Sequence, residues 1–395
     1  MAGPLDGIRV IDLSTVISGP LAGMMLADQG ADVIKVEAPG VGDILRASNW
    51  SRGGLTAFLT NANRGKRSLV VDLQDERGQK IVKDLVKTAD VFIQNFRPGA
   101  IERCGLGESV LRAINPDLIY MSISGFGATG PYADRRVYDP IIQGITGNVA
   151  IQKNPITDFT DLVRNIVCDK ASAYTAAQAI TAALFARERG AGGQHIRVPM
   201  IDAALAFFWP DGMMKKTMVG EGVVPGRTLY ESYRLTDTLD GHLIYFMASK
   251  AEFHGLFTAL GRPDLIEDGR FNGPGMVPED AIELGEILEV EFRKWETAEI
   301  TQRLVKEQVP VGPVHSLDEV LEDPQIKHND SIVEREHPTA GRIREARPGA
   351  HFEGTVPDLP PIAPLKGEHT DEILAELGIE ADERDQLRAD GILGP

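Results

Sequence analysis

Short apolar runs alternate with amphipathic stretches through the first half of the chain. Residues 7–13 (GIRVIDL) are apolar and rich in β-branched side chains, which predicts a buried strand. A helical stretch closed by Gly30 follows, and ADVIKVE predicts a second strand. The same order recurs in SLVVDL, a helix over 76–87, ADVFIQNF and DLIYMSISGFG. This alternation predicts an α/β fold: a Rossmann-like domain whose mostly parallel sheet carries helices on both faces.

The pattern changes in the second half of the chain. An alanine-rich helix over 170–187 and the strand HIRVPM complete the N-terminal part of the large domain, residues 1–205. Mixed Pro, Gly, Met and Lys residues predict a linker over 206–226. Alternating strands around the turn Asp240-Gly241, and helical segments after them, predict a smaller α+β domain over 227–325. The tail, 326–395, is proline-rich before a final amphipathic helix.

Composition limits the classes of partner. The 395 residues are 43% hydrophobic and 25% charged, as in ordinary globular proteins, and no apolar stretch is long enough for a membrane span. The formal net charge of −17 argues against nucleic-acid binding but leaves room for one small basic pocket. Two cysteines, Cys104 and Cys168, are too few for a disulfide framework, so a reduced cytoplasmic setting is expected.

The usual phosphate-binding fingerprints are missing from this Rossmann-like pattern. SGPLAG follows the first strand where a dinucleotide fold has G-x-G-x-x-G, and no Walker sequence occurs. Neither H-E-x-x-H nor CxxC is present, so no metal is expected. A dehydrogenase or nucleotide-dependent ligase is therefore disfavoured.

Asp169, just before the alanine-rich helix, has two readings. Its carboxylate could act as an N-cap for the first turn, or the helix start could stabilise a reactive carboxylate and nearby oxyanions. The small residues after it, 171–173, would leave room for a bulky substrate. The neighbouring Cys168 is a weaker nucleophile candidate, because the nearest histidine in sequence is the distant His195.

Basic residues cluster around loops, and several of these loops connect a predicted strand to a helix. Ligands of parallel sheets bind at the carboxyl ends of the strands, so these residues could hold phosphates of a ligand. The set comprises Arg64, Lys66, Arg67, Arg97, Arg103, Arg135 and Arg136.

Nearly the whole chain resembles the family III CoA-transferases, the CaiB/BaiF type, which also include α-methylacyl-CoA racemases. The motifs in order are PLDGIRVIDLSTVISGPLAGMMLADQGADVIKVEAPGVGD, NRGKRSLVVDL, NFRPGAIERCGLG, INPDLIYMSISGFGATGPYADRRVYD, GGQHIRVPMIDA, VPVGPVHSLDEVLEDPQ and APLKGEHTDEILAELG. The resemblance implies an interlocked homodimer, with residues 326–395 returning as linker and C-terminal part of the large domain. It also implies that Asp169 is the catalytic aspartate, which forms an acyl anhydride and then a CoA thioester.

The resemblance also implies a set of positions that bind coenzyme A or its esters, which are substrates rather than resident cofactors. These positions are Val16, Ile17, Ser18, Lys66, Asn95, Phe96, Arg103, Arg136, Tyr138 and Met200. Ala38 stands where some relatives have an arginine. Ile17 replaces a glutamine of formyl-CoA:oxalate transferases, and PGRTLYESY replaces their glycine-rich loop, so oxalate is disfavoured as the acceptor.

Two alternatives remain beside a transferase with acyl-CoA and carboxylic acid substrates. Related racemases pair the aspartate with a histidine to move an α-proton, and the matching residue here is Tyr138. Because an ordinary tyrosine pKa is near 10, this favours transfer over racemisation. A non-catalytic acyl-CoA binding protein is the second alternative, with Asp169 as a helix cap.

Overall fold

A computed structural model describes residues 3–154, 157–226, 228–271, 273 and 275–394. The chain divides into two compact units, Met1–Pro225 with Asp330–Pro395, and Gly226–Asn329. Arg227, where the predicted small domain begins, lies outside the described residues. Among the described residues, no helix is both long and apolar enough to cross a bilayer.

The strands, in chain order, are β1 (Arg9–Asp12), β2 (Asp32–Glu37), β3 (Ser51–Arg52), β4 (Leu55–Thr56), β5 (Lys66–Val70), β6 (Val91–Gln94), β7 (Ile119–Ser124), β8 (His195–Pro199), β9 (Thr236–Asp237), β10 (His242–Tyr245), β11 (Val311–Pro313), β12 (Ile332–His337) and β13 (Gly341–Ala346). The helices are α1 (Ser18–Ala27), α2 (Ala57–Asn63), α3 (Glu76–Val86), α4 (Ala100–Arg103), α5 (Glu108–Ile114), α6 (Asp139–Thr146), α7 (Val167–Ala186), α8 (Met200–Gly212), α9 (Met214–Thr217), α10 (Lys250–Leu260), α11 (Pro263–Glu267), α12 (Pro278–Phe292), α13 (Thr297–Lys306), α14 (Leu317–Val320), α15 (Pro324–His328), α16 (Thr370–Glu376) and α17 (Ala381–Ala389). Short 3₁₀ turns lie at Ile44–Ala47, Ala150–Gln152, Leu229–Glu231 and Gly269–Phe271, and a π-helical turn, Arg187–Ala191, follows α7.

The large unit is built on a six-stranded sheet in the order β5-β2-β1-β6-β7-β8, and every pairing in it is parallel. This confirms the predicted α/β fold. The chain moves outward from β1 through β2 to β5 and then returns to β6 on the other side of β1. The strand order therefore reverses between β1 and β6, which is the usual ligand position in open parallel sheets.

Strand alternation divides the apolar residues between two cores. Val10 belongs to the core on the α1, α7 and α8 side, whereas its neighbour Ile11 belongs to the core that includes Ile373 and Leu387 of the tail. Helix α7 is alanine-rich because α1 and α8 pack closely against it, and small side chains permit that approach.

The C-terminal tail belongs to the large unit. Val70 N–H donates to Thr370 Oγ1 over 3.2 Å, and Arg67 on β5 contacts Glu376 over 2.6 Å. The hairpin of β12 and β13 precedes this tail. The sequence patterns did not predict this hairpin or α17, whereas they did predict the amphipathic helix that is α16.

The small unit contains the predicted hairpin. Strands β9 and β10 pair antiparallel around Asp240-Gly241, with His242 opposite Asp237, and β11 joins as a third strand. Helices α10 to α13 cover an apolar core that includes Phe257 and Phe292, both fully buried. Part of the segment predicted as a linker, 206–226, is helical, because α8 continues to Gly212 and α9 follows it.

Candidate active site

Two loops meet where the strand order reverses. The loop after β1 carries Val16 and Ile17, Ser18 begins α1 directly after it, and the chain after β6 carries Asn95 and Phe96. The Asn95 amide joins the two loops, because Nδ2 donates to Thr15 O over 2.7 Å and Oδ1 accepts from Thr15 N over 2.9 Å. Five of the predicted CoA-binding positions therefore lie at this point of the sheet.

Two glycines in SGPLAG let α1 begin close to the end of β1. A Cβ on Gly19 would lie 2.2 Å from Cβ of Ser14, and a Cβ on Gly23 would lie 3.1 Å from Oδ2 of Asp12. The glycines of this motif therefore serve helix packing, which explains their presence without a dinucleotide fingerprint.

A cluster of buried charges supports the loop after β1; we call Asp12, Lys35, Asp43 and Lys66 the paired cluster. Lys66 Nζ contacts Asp12 Oδ2 over 2.7 Å, Lys35 Nζ contacts Asp43 Oδ2 over 2.9 Å, and all four side chains are fully buried. Lys35 Nζ also donates to Ser14 O over 3.0 Å, and Asp43 Oδ1 accepts from Val16 N over 3.3 Å. The cluster thus bonds directly to the backbone of the loop.

This arrangement changes the role expected for Lys66. Its ammonium also donates to Pro20 O over 2.7 Å and Asn63 Oδ1 over 2.9 Å, so its three donors are used inside the protein. Burial lowers the pKa of Lys66 to about 8 despite the nearby Asp12 carboxylate. This geometry does not fit a direct contact between Lys66 and a phosphate. It fits a role in which Lys66 supports the loop after β1.

The other basic residues of NANRGKRS also form ion pairs with carboxylates of the protein itself. Arg64 forms a bidentate pair with Asp28, with both distances 2.7 Å, and Arg67 pairs with Asp32 over 2.7 Å. In contrast, Arg103 and Arg136 are exposed, and their guanidinium groups make no hydrogen bond or ion pair with any other residue that the structure describes. Arginines that follow β6 and β7 are thus available at the carboxyl edge.

Several predicted contact residues are buried in the protein itself. Ile17 packs with Leu45, Leu55 and Leu59, and Ser18, Phe96 and Met200 are buried or half-buried against the protein core. Tyr138 is exposed. Val16 is half-buried with a φ of 68°, a conformation that is costly for a β-branched residue.

Asp169 lies inside the first turn of α7. The helix begins at Val167, and its capping position is Ile166, so the reading of Asp169 as an N-cap is wrong. Helix α7 precedes a parallel strand, so it runs antiparallel to the strands and begins at the carboxyl edge of the sheet. Asp169 is half-buried, and among the described residues no donor bonds to its carboxylate.

Asp139 caps α7 in place of a local residue. Its Oδ2 accepts from the N–H of Cys168 over 2.7 Å and from the N–H of Asp169 over 3.0 Å. Burial raises the pKa of Asp169 to about 7, and the negative charge of Asp139 adds to this shift. We call Asp139 and Asp169 the unpaired carboxylates.

Cys168 is not a reactive thiol, and the small residues after Asp169 do not leave open space. Burial, with Asp139 and Asp169 beside it, raises the pKa of Cys168 to about 12, so a thiolate is disfavoured. Ala171, Ser172 and Ala173 are buried, which corrects the expectation that they leave room for substrate. They instead allow the close packing of α7.

Asp139 and Gln143 are the functional candidates that sequence reasoning missed. Asp139 precedes a proline at the start of α6, a local pattern that indicates only a helix N-terminus. Its partners lie 29 and 30 positions later in the chain, and no local spacing signals such a contact. In the described part of the chain, no group of three or more His, Cys, Asp or Glu side chains is arranged for a metal ion.

Exposed arginines at the carboxyl edge of a parallel α/β sheet suit an anionic ligand, and an unbonded carboxylate lies at the same edge. The chain belongs to CoA-transferase family III, whose profile matches residues 5–370. It is therefore an enzyme that uses CoA thioesters as substrates.

Relatives of known sequence and structure extend over the same length. A succinate–glutarate CoA-transferase of Agrobacterium fabrum is 35% identical over 385 residues, which are 95% of this chain and 96% of the relative. A succinyl-CoA:glutarate CoA-transferase of Mus musculus is 32% identical and covers 95% of this chain and 86% of its own length. The crystal structure of a CaiB/BaiF family protein from Brucella suis matches with a TM-score of 0.83 and 32% identity, and the match covers 95% of this chain and 100% of that chain.

Proposed function

We propose that this enzyme moves coenzyme A from an acyl-CoA donor to a carboxylic acid through covalent intermediates on Asp169. The observation that carries the proposal is the carboxylate itself, which is half-buried and accepts no hydrogen bond from a described residue. A carboxylate without such donors keeps its lone pairs free to attack a thioester carbonyl. Its raised pKa, about 7, also supports a reactive rather than structural role.

The transfer proceeds by exchange at two carbonyl groups. The Asp169 carboxylate attacks the acyl-CoA thioester, a C–O bond forms, the C–S bond breaks, and CoA leaves as a thiolate. The thiolate then attacks the aspartyl carbonyl of the anhydride, which gives an Asp169–CoA thioester and releases the first acid. The acceptor carboxylate reverses these steps and leaves as the new CoA ester. Anhydrides hydrolyse readily, so the site must exclude water during turnover.

The loops at the carboxyl edge supply the binding groups for CoA. The guanidinium groups of Arg103 and Arg136, free of described partners, suit the phosphates of the nucleotide. Val16, Phe96 and Tyr138 offer partly open apolar or aromatic surface for the adenine ring or the pantetheine arm. Ile17, Ser18, Asn95 and Met200 contribute through the shape of these loops, and Lys66 supports the loop from beneath.

The proposal also includes a second copy of the chain as a partner. Helices α7 and α8 expose large apolar side chains, including Tyr174, Phe185, Phe207 and Trp209. Exposed large apolar side chains in this number on two packed helices are typical of a protein interface. We propose a homodimer, interlocked as the family resemblance implies, and light scattering of the purified protein tests its mass. A cytoplasmic location stays a prediction from the cysteine content.

Short dicarboxylic acids are the substrates that we propose first. The relatives named above act on succinate and glutarate by their names, and each covers 95% of this chain. The test incubates the enzyme in D₂O with succinyl-CoA and a set of free acids, with mass spectrometry as the readout. New CoA esters without deuterium support transfer, whereas deuterium at the α-carbon of an unchanged ester would support racemisation instead.

The same assay tests the covalent scheme. Asp169→Ala should abolish transfer, and the wild-type peptide that contains Asp169 should gain the mass of CoA less one water when the donor is present without an acceptor. Asp382→Ala is the matched control, because Asp382 is an exposed aspartate in the first turn of another helix. More than trace transfer by a folded Asp169→Ala variant would contradict the scheme.

A further inference from the structure

Asp139 makes contacts that neither a surface acid nor a simple helix start would need. It is the first residue of α6 and is 2% exposed, yet its carboxylate bonds to the first turn of α7. Gln143 holds it there, since Gln143 Nε2 donates to Asp139 Oδ1 over 2.5 Å. The same amide donates to Val163 O and Asn165 O, and its Oε1 accepts from Val163 N over 3.0 Å. The carboxylate is therefore fixed against the α7 N-terminus.

The contact removes the electrostatic support that a helix start normally gives to an anion. The N–H groups of Cys168 and Asp169 point at Asp139, and Val167 N–H donates to Asn165 O over 2.9 Å. These three N–H groups would otherwise be available to the Asp169 carboxylate or to an oxyanion. The expectation that this helix start stabilises oxyanions therefore does not hold in this structure. Asp169 instead faces a second carboxylate.

We infer that Asp139 is a positioning residue of the transfer reaction, whose fixed charge favours the covalent Asp169 intermediates over the free Asp169 carboxylate. The inference rests on the proposed role of Asp169. In the first step, the negative charge of Asp169 passes to the CoA sulfur as the anhydride forms. When the thiolate attacks the aspartyl carbonyl, the charge passes to the released acid. Asp169 is neutral in both intermediates, so repulsion by Asp139 acts only on the free carboxylate.

A neutral residue could satisfy the same N–H groups. Asn and Ser cap helices about as well as Asp does, so capping alone does not require a buried charge beside the nucleophile. What the carboxylate adds is repulsion. The raised pKa of Asp169, caused by burial and then by Asp139, agrees with this geometry.

Asp139 is the one charged neighbour that perturbs Asp169 among the described residues. Helix α1 contains no titratable residue, and α6 contains only Asp139. The other titratable or charged groups on α7, on the loop before α6 and on the elements packed against α7, the π-helical turn included, are Cys168, Lys170, Tyr174, Tyr132, Asp134, Arg135, Arg136, Tyr138, Tyr120, Arg187, Glu188, Arg189, His195, Arg197, Asp202 and Asp211.

The test replaces Asp139 by Asn, which keeps an acceptor oxygen but removes the charge. In wild type, formation of the Asp169–CoA thioester should fall below a pH of about 7, where the nucleophile becomes protonated. In Asp139→Asn, this fall on the acid side of the pH profile, the acid limb, should move to lower pH by about one unit or more. At a fixed ratio of acyl-CoA to free acid, the ratio of enzyme with CoA on Asp169 to enzyme with free Asp169 should be about tenfold lower in Asp139→Asn than in wild type. Tenfold is the factor that one pKa unit represents.

Asp75→Asn is the matched control, because Asp75 caps the start of α3 and accepts from Arg77 N over 2.8 Å, at a helix that belongs to no part of the site. It should leave the acid limb in place. A purely structural cap predicts the same for Asp139→Asn, with a lower melting temperature and no movement of the limb, and that result would overturn the inference.

Failure of the proposed function looks different, since wild-type Asp169 would then carry no CoA at any pH. If Asp139→Asn does not fold, Asp139→Ser supplies a second neutral cap for the same readout. An acid limb that moves to lower pH in that variant supports the inference. A limb that stays in place overturns it, as does a wild-type midpoint near the ordinary carboxylate pKa of about 4.

Discussion

The two clusters at the carboxyl edge of the sheet both contain buried carboxylates, but their electrostatics are opposite. Burial alone would raise the pKa of Asp12, but Lys66 and Lys35 overcome it and hold the pKa below its usual range. The pKa of Asp169 is instead raised to about 7, because burial is joined by the like charge of Asp139. The charges of the paired cluster are therefore stabilised by counter-charges, whereas the charge on Asp169 is disfavoured by its surroundings.

The difference shows how one fold makes both a support and a reactive group from the same residue type. Counter-charges turn buried Asp12 and Asp43 into anchors for the loop after β1. The missing counter-charge at Asp169 leaves a carboxylate whose energy falls when it becomes neutral, by protonation or by acylation. The two clusters should consequently respond to charge removal with opposite signs.

The largest effect is expected in the paired cluster. Lys66→Met should lower the free energy of unfolding by about 3–5 kcal/mol, because removal of one partner leaves a buried charge uncompensated. Urea unfolding measures this change, and Lys80→Met, in an exposed pair with Asp84, should cost less than about 0.5 kcal/mol. The double variant Asp12→Asn with Lys66→Met should recover part of the loss. If Lys66→Met proved as mild as Lys80→Met, the paired cluster would not be a support.

The opposite sign is expected at the unpaired carboxylates. Asp169→Asn should raise the free energy of unfolding at pH 8 by about 2 kcal/mol, roughly half of what 1.4 kcal/mol per pKa unit gives, because the side chain is only half-buried. The folded pKa lies above the unfolded value, so wild type is most stable when Asp169 is protonated and loses stability as the pH rises from about 4 to about 7.

Thermal unfolding of both proteins across this range checks the sign. The difference between Asp169→Asn and wild type should vanish near pH 4 and reach its full size above pH 7, while activity is lost throughout. Asp382→Asn, an exposed first-turn aspartate, should follow the wild-type curve. A variant less stable than wild type at pH 8 would mean that the Asp169 carboxylate is held by favourable contacts after all.

The sequence predicted those parts of the molecule that depend on local pattern. Apolar runs located the strands of the parallel sheet, and Asp240-Gly241 located a hairpin, because period and turn chemistry are properties of neighbouring residues. The family resemblance directed attention to Asp169 and the loops. The partners of Lys66 and Asp139 were beyond such reasoning, because Asp12 and Asp169 lie 54 and 30 positions away.

The smallest effect is expected from substitutions of Val16. They test the role of the paired cluster, because the cluster bonds to the backbone of this residue. Asp43 Oδ1 accepts from Val16 N, and the residue has a φ of 68°. Val16→Ala removes side-chain contacts and keeps the strained backbone, whereas Val16→Gly removes both the contacts and the strain. The glycine variant should therefore be more stable than the alanine variant by about 1 kcal/mol, even though glycine gives the unfolded chain more freedom.

Binding should follow the reverse order of stability. Glycine adopts the left-handed conformation without strain but also allows other loop conformations, so the KM for acyl-CoA should rise about threefold or more over that of Val16→Ala, with kcat changed less. The alanine variant is the control for the lost side chain. Equal KM values in the two variants would mean that the cluster below the loop contributes stability alone. A higher KM with glycine would mean that the paired charges hold a strained loop in the shape that binds CoA, while the unpaired carboxylates supply the reactive group.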